Sequence, residues 1–314
     1  LMRATGVILT VSVLPWVQPY LSMLSDAPAR MVANFHTIFN IALAVSFLPF
    51  VKIVHRLSER IITSPPLAET PGAPRYLDLS SLDSPPVALA CAARETLAMG
   101  DLVRHMLARS LDVFRTNDTE LMREIEHSDD AVDKLHEAIK LYLTRINKEE
   151  LDGEESARNI EVLSFTTNLE HIGDIIDKNL MELAAKKIKK RASFSAAGLQ
   201  ELQSFHAQIL ENFDLAMNVF MSGDVGMART LIRQKVSVRD LERNYAETHY
   251  ARIGAGRADS IETSALHIDV LRDLKRINGH LTSVAYAILD RAGELTESRL
   301  RDAAEETADR TARR

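Results

Sequence analysis

The sequence holds a single cysteine, Cys91, in 314 residues. One thiol excludes an intrachain disulfide framework and any multi-cysteine metal site, so the chain can live in a reducing compartment. Aromatic residues are scarce at 5%, and glycine occupies only 12 positions. With abundant Ala, Leu, Glu and Arg, that scarcity points to helices rather than sheet. A basic excess is missing as well: the net charge of -6 argues against a dedicated nucleic-acid binder. No glycine-rich phosphate loop, nucleophile elbow or zincin motif occurs, so nothing supports a hydrolase and no enzymatic activity is expected. Leu1 opens the chain, and Met2 is followed by neither a charged n-region nor a small-residue cleavage site. The N-terminus reads as a cut made inside a longer protein.

What is present is unevenly distributed. Thr5 to Leu24 is an uncharged run of about twenty residues, long enough to cross roughly 30 Å of hydrocarbon. Pro15, Gln18 and Pro19 predict that it is kinked or broken. A second uncharged run of similar length extends from Met31 to Val51, and Lys52, His55, Arg56 and Arg60 follow it. That basic cluster favours the cytoplasm for everything downstream. The pair reads as a hairpin of spanning helices, against the alternative of two buried helices in a soluble protein. Asn34, His36, Thr37 and Asn40 fall within the second run at helical spacings. They either line a polar pathway or bond to neighbouring helices.

Residues 63–86 are rich in Pro and Ser and lack helical periodicity, as a linker does. Pro85 and Pro86 announce a helix, with Ser84 as its cap. Apolar residues then recur at helical spacing to about residue 292. Breaks at Thr116 to Asp118, Asp152 to Glu154 and Ser222 to Asp224, and the loop GAGRAD, help divide this region into six helices. In the third helix, about 155–190, the stripe is Ile160, Leu163, Leu169, Ile172, Ile176 and Leu180. The pattern repeats: Val132, Leu135 and Ile139 recur as Val238, Leu241 and Tyr245, and Leu169 and Ile172 as Leu274 and Ile277. The predicted fold is all-α, a transmembrane helical hairpin followed by a bundle of two three-helix repeats. Its segments are 1–57 for the membrane part, 58–86 for the linker, 87–295 for the bundle and 296–314 for a charged tail.

The string NLEHIGDIIDKNL, residues 168–180, carries the most chemistry. Glu170 and Asp174 are four apart, so their carboxylates point the same way, and Asp177 continues the face. His171 points elsewhere. Hard oxygen donors in this arrangement suit Mg, Ca, Mn or Fe; on spacing alone they also suit a solvated acidic stripe paired with Lys or Arg. In the second repeat Lys275 stands in place of Glu170 and Gly279 in place of Asp174. Asp269 and Asp273 leave a shifted, weaker acidic pair there. Alternatively, Lys275 and Arg276 pair with carboxylates of the first repeat.

ANFHTIFNIALAVSFLPF, residues 33–50, resembles the closing helix of the second repeat in sodium-dependent phosphate cotransporters. NLEHIGDIIDKNL and DLKRINGHLTSVAYAIL resemble the third helices of PhoU-like domains. The order of transport repeat, proline-rich linker and PhoU-like domain is similar to bacterial Na/Pi cotransporter proteins. The resemblance implies sodium-coupled transport of inorganic phosphate by a multi-pass protein of the bacterial inner membrane, with the helical domain cytoplasmic. The Gln-Ser-Ser signature of the transport repeats does not occur in this chain. The resemblance also implies a divalent or iron cluster at a Glu-x-x-x-Asp motif in each three-helix unit. Glu170 and Asp174 match it; Lys275 and Gly279 depart from it. Expected partners are phosphate, sodium, the membrane, and either a second copy or phosphate-signalling proteins. A membrane-tethered regulator of phosphate uptake is the competing expectation.

Overall fold

The computed structural model describes residues 30, 33, 35–41, 72–146 and 151–294. The chain divides into two compact units, Leu1–Leu67 and Ala68–Arg314. In the first unit residues 35–41 are helical. Among the described residues no helix is long and apolar enough to cross a membrane. The run from Thr5 to Leu24, and most of the run from Met31 to Val51, lie outside them.

In the second unit the helices are α1 (Pro85–Thr116), α2 (Thr119–Arg145) and α3 (Gly153–Asp174). A π-helical segment, Ile175–Met181, joins α3 to α4 (Glu182–Lys190). Then come α5 (Ala196–Ser222), α6 (Val225–Gly254), α7 (Ala258–Glu262), α8 (Ser264–Leu281) and α9 (Ser283–Arg291). No strand occurs among the described residues.

Local chemistry sets the ends. Asp118 accepts the N–H groups of Glu120 and Leu121, and Asp152 closes a reciprocal capping box with Glu155. Ser195 and Asp224 cap α5 and α6. Ser84 stands at the start of α1 without a side-chain cap bond: Pro86 lacks one N–H it would serve, and the Val87 N–H donates to the Ser84 carbonyl at 3.0 Å instead. Gly223 ends α5 at φ 64°, in the left-handed region where glycine carries no Cβ penalty.

The expected third helix runs through as α3, the π segment and α4. The expected sixth is divided at Thr263 and Thr282. Each hydroxyl bonds back into the preceding turn, Thr263 to the Asp259 carbonyl at 2.8 Å and Thr282 to the Gly279 carbonyl at 3.0 Å, a pattern that bends helices. Ile160, placed on the apolar stripe by spacing, is instead exposed near the start of α3.

Within each repeat the helices pack side by side: α1 on α2 and α3, α5 on α6 and α8. The repeats meet along α1 and α5 and where α3 touches α8 and α9. Phe165 and Phe220 stack across that seam with centroids 4.6 Å apart, and Phe205 and Phe213 are fully buried. Burying each such ring stabilises the bundle by about 1.5–3 kcal/mol. Polar bonds fix the register: Asn212 donates to Asn278 at 2.7 Å, and Arg104 forks onto Asp214. Residues 72–83, read from composition as linker, lie on the bundle. Glu95 accepts the backbone N–H of Arg75 and Tyr76, and the Tyr142 hydroxyl donates to the Asp78 carbonyl.

Candidate metal centre

The site grows from two helix faces. On α2, Asp129 and Asp133 are four residues apart and share a face. On α3, Asp174 ends the last α-helical turn before the backbone widens into the π segment. One carboxylate oxygen from each of these three lies within 4.8 Å of the others. Asp129 is buried, Asp174 half-buried and Asp133 exposed, so the group opens to solvent on one side. Among the described residues no other set of three or more His, Cys, Asp or Glu converges this way.

Asp129 decides the character of the site. It is only 5% exposed, and its Oδ1 has no hydrogen-bond partner. It lies against Gly173, where a β-carbon would stand 2.6 Å from Oδ1. Leaving a buried carboxylate oxygen unpaired is costly. Burial first, then the charges of Asp177, Asp133 and Asp174, push its pKa up to about 7. Lys178 works in the opposite sense and holds Asp174 in an i,i+4 ion pair. Three carboxylates, one of them buried with an unsatisfied oxygen and one exposed to solvent, offer hard donors that fit Mg, Ca, Mn or Fe rather than a soft metal.

Sequence reasoning reached one side of this arrangement. Asp174 is in the cluster. Asp177 lies beyond it, where burial and then Glu126 raise its pKa. Glu170 is on the opposite flank, with His171 Nε2 at 3.6 Å, and its charge reaches His136. Asp129 and Asp133 were missed, although DDAVD at 129–133 repeats the four-residue spacing of Glu170 and Asp174.

The second repeat inverts the charges. Lys235 and Arg239 stand at the positions of Asp129 and Asp133, and Lys275 at that of Glu170. Lys275 pairs with Glu242 at 2.9 Å within its own repeat, which corrects the expectation that it reaches carboxylates of the first. Arg276 likewise binds Asp273 on its own helix, at 2.9 Å. The weaker acidic pair does not converge on a site: Asp269 is tied to Arg272, and Asp273 is buried between Arg276 and Arg272. Of the polar quartet in the first unit, Asn34 lies outside the described residues. Thr37 donates to the Ala33 carbonyl and Asn40 to the His36 carbonyl, both within the helix.

Comparison with known proteins explains the repeat. The PhoU domain matches residues 96–182 and again 202–288, more than half of the chain. The chain belongs to the PhoU domain family. Its two PhoU domains are offset by the interval at which the apolar residues recur. Crystal structures of PhoU share the fold: that from Pseudomonas aeruginosa has a TM-score of 0.59 at 20% identity, covering 64% of this chain and 95% of that one. PhoU from Streptococcus pneumoniae, a phosphate transport system regulatory protein, has a TM-score of 0.60 at 15% identity, covering 68% and 100%. Among curated sequences, "Putative inorganic phosphate export protein YjbB" of Salmonella typhimurium is 40% identical over 281 residues, 88% of this chain and 52% of that protein. The protein of the same name from Escherichia coli strain K12 is 41% identical over 271 residues, 86% of this chain and 50% of that protein. The chain thus spans about half the length of the curated relatives it matches.

Proposed function

We propose that this PhoU-family chain is the regulatory helical part of a protein that moves inorganic phosphate across the bacterial inner membrane. The bundle binds a divalent cation, or an iron cluster, between α2 and the end of α3. Asp129, Asp133 and Asp174 are its ligands, and Glu170 and Asp177 flank it. The observation that carries the cation site is the convergence of the Asp133 and Asp174 carboxylates on a buried Asp129 that has one oxygen without a partner. Transport is supported by the name carried by the curated relatives, and by two uncharged runs followed by a basic cluster. Sodium is the coupling ion in this reading, as the likeness of residues 33–50 to sodium/phosphate cotransporters implies. The bundle faces the cytoplasm and docks either a second copy or phosphate-signalling proteins. The mechanism needs no covalent catalysis: cation occupancy changes the bundle, and the bundle gates the carrier.

The test is radiolabelled phosphate flux in proteoliposomes containing the full-length gene product, with sodium gradients imposed in each direction. Flux that follows the sodium gradient supports the reading, and its sign distinguishes uptake from export. Absence of flux in both directions leaves a membrane-tethered regulator and removes the transporter. Separately, calorimetry with Mn2+ on wild type and on Asp129→Asn with Asp174→Asn reads the cation site. Equal heats from the two proteins would remove that site from the proposal.

A further inference from the structure

A cavity of about 320 Å³ adjoins the acidic cluster and lies between the two repeats. The α3 side contributes His171 and Asp174, the π segment Ile175, Lys178 and Asn179, and α8 Arg276 and His280. Its chemistry is opposite to that of the neighbouring site. Asp174 is its one carboxylate, and Lys178 already neutralises it. Arg276 is anchored beneath by the buried Asp273, which takes one Nη and leaves its remaining N–H groups without a partner among the described residues.

The orientation of His280 is fixed in a useful way. Its Nδ1 is 2.8 Å from Asn168 Oδ1, and the Asn168 amide donates to the Ser164 carbonyl, which sets which end of the amide is oxygen. An amide oxygen only accepts, so Nδ1 carries the proton and Nε2 presents a lone pair. The cavity therefore combines cationic donors, Lys178 and Arg276, with two acceptors, His280 Nε2 and Asp174.

We propose that this cavity binds a small protonated oxyanion, inorganic phosphate, and that Lys178 couples its occupancy to that of the cation site. Lys178 and Arg276 neutralise the anion's charge with charge-assisted hydrogen bonds. His280 Nε2 accepts its O–H. Sulfate has the same shape and charge but no proton at neutral pH, so it leaves that lone pair opposed to oxygen. Lys178 serves as a relay because Asp174 belongs to both sites. A cation held by Asp129, Asp133 and Asp174 releases Lys178 to the anion, and an anion that draws Lys178 away frees Asp174 for the cation. Linkage makes the effect reciprocal. The relay rests on the cation reading above; the phosphate cavity does not.

The experiment is calorimetry on the full chain in detergent, titrating inorganic phosphate or sulfate with chelator, then with Mg2+, into wild type, Lys178→Gln and His280→Gln. Lys178 is exposed, so its variant should fold. In chelator, wild type is expected to bind phosphate at least tenfold more tightly than sulfate. Lys178→Gln loses about tenfold in phosphate affinity, and His280→Gln narrows the phosphate preference. Magnesium should tighten phosphate binding by on the order of tenfold in wild type and leave Lys178→Gln unchanged. No phosphate heat in wild type, equal phosphate and sulfate affinity, or full phosphate affinity in Lys178→Gln overturns the cavity; that last result places phosphate elsewhere in the chain. If Mg2+ binds yet leaves phosphate affinity unaltered, the relay is overturned. If Mg2+ does not bind, the cation reading and the relay fail together, and the chelator titrations alone decide the cavity.

Discussion

Asp129 and Gly173 are fitted to each other across the contact between α2 and α3: a β-carbon at position 173 would stand 2.6 Å from Asp129 Oδ1 and 3.3 Å from Val132 Cγ1. Gly173→Ala gains about 1 kcal/mol of helix propensity and spends it on that overlap, whose cost is about 1–3 kcal/mol. Thermal stability is therefore expected to change little, while Asp129 swings off the cluster. Calorimetry with Mn2+ should show at least a tenfold loss of affinity. Unchanged affinity would mean that the Asp129 oxygen is not a ligand.

The raised pKa of Asp129 fixes the sign of a pH effect. Its folded value is about 7 against an ordinary 3.8, so the folded state holds a proton that the unfolded state releases between those limits. The stabilisation is complete below about pH 4 and is lost as pH rises through 7. Without a cation at pH 8, wild type bears a cost on the order of 4 kcal/mol. Asp129→Asn removes it, and its Tm should rise by on the order of 10 °C. At pH 4 the two proteins should melt together. Saturating Mn2+ should reverse the order at pH 8, because only wild type gains binding energy.

The buried histidine pair acts in the other direction. His249 and His267 stack with centroids 4.4 Å apart and an interplanar angle of 7°, both out of solvent, and Glu201 Oε2 lies 3.3 Å from His267 Nε2. Burial first, then His249, pushes the His267 pKa down to about 4, with Glu201 opposing and Arg252 reinforcing. The unfolded chain takes up that proton near 6.5, so this contribution is intact above pH 6.5 and declines until about pH 4. Its full size is on the order of 3 kcal/mol. Because Asp129 slopes the other way over the same range, the readout is a difference: in urea unfolding at pH 7.5, 6 and 4.5, wild type should lose stability relative to His267→Phe, which keeps an aromatic stack and cannot protonate. The same slope in both proteins would assign acid sensitivity elsewhere.

The helix ends were legible in the sequence because they are local. Asp118, Asp152 and Asp224 stand at breaks read from composition, and each caps through its own side chain. The duplication was legible because Val132, Leu169 and their counterparts all point into the core. The cation site was half legible. Asp174 announces itself beside Glu170 on one helix, but its partners come from α2, and pairing between helices is a tertiary fact that no single periodicity carries. The weaker pair illustrates the converse. Asp269 and Asp273 have metal-like spacing, and the arginines that neutralise them lie on the same helix, where spacing alone cannot separate ligand from ion pair. Lys275 could not be assigned to Glu242 before the packing of α8 on α6 was known.

A buried carboxylate also clasps the repeats at the opposite end of α3. Glu161 is 4% exposed; one oxygen accepts from Arg158 at 2.9 Å and the other from Arg291 on α9, also at 2.9 Å. Arg158 in turn donates to the Phe220 carbonyl at 3.2 Å and covers the Phe220 ring at 4.7 Å. The two arginines are part-exposed, so most of the desolvation falls on Glu161. Removing its charge leaves two guanidinium groups without a counter-ion and an amide N–H2 pointed at one of them. Glu161→Gln should cost about 3–5 kcal/mol in urea unfolding. Arg291→Met leaves Arg158 in place and water within reach, and should cost only about 1 kcal/mol. In the double variant the costs should not add, because both substitutions break one network. Equal and small costs for the two single variants would show that the α3–α9 contact is held by its apolar side chains alone.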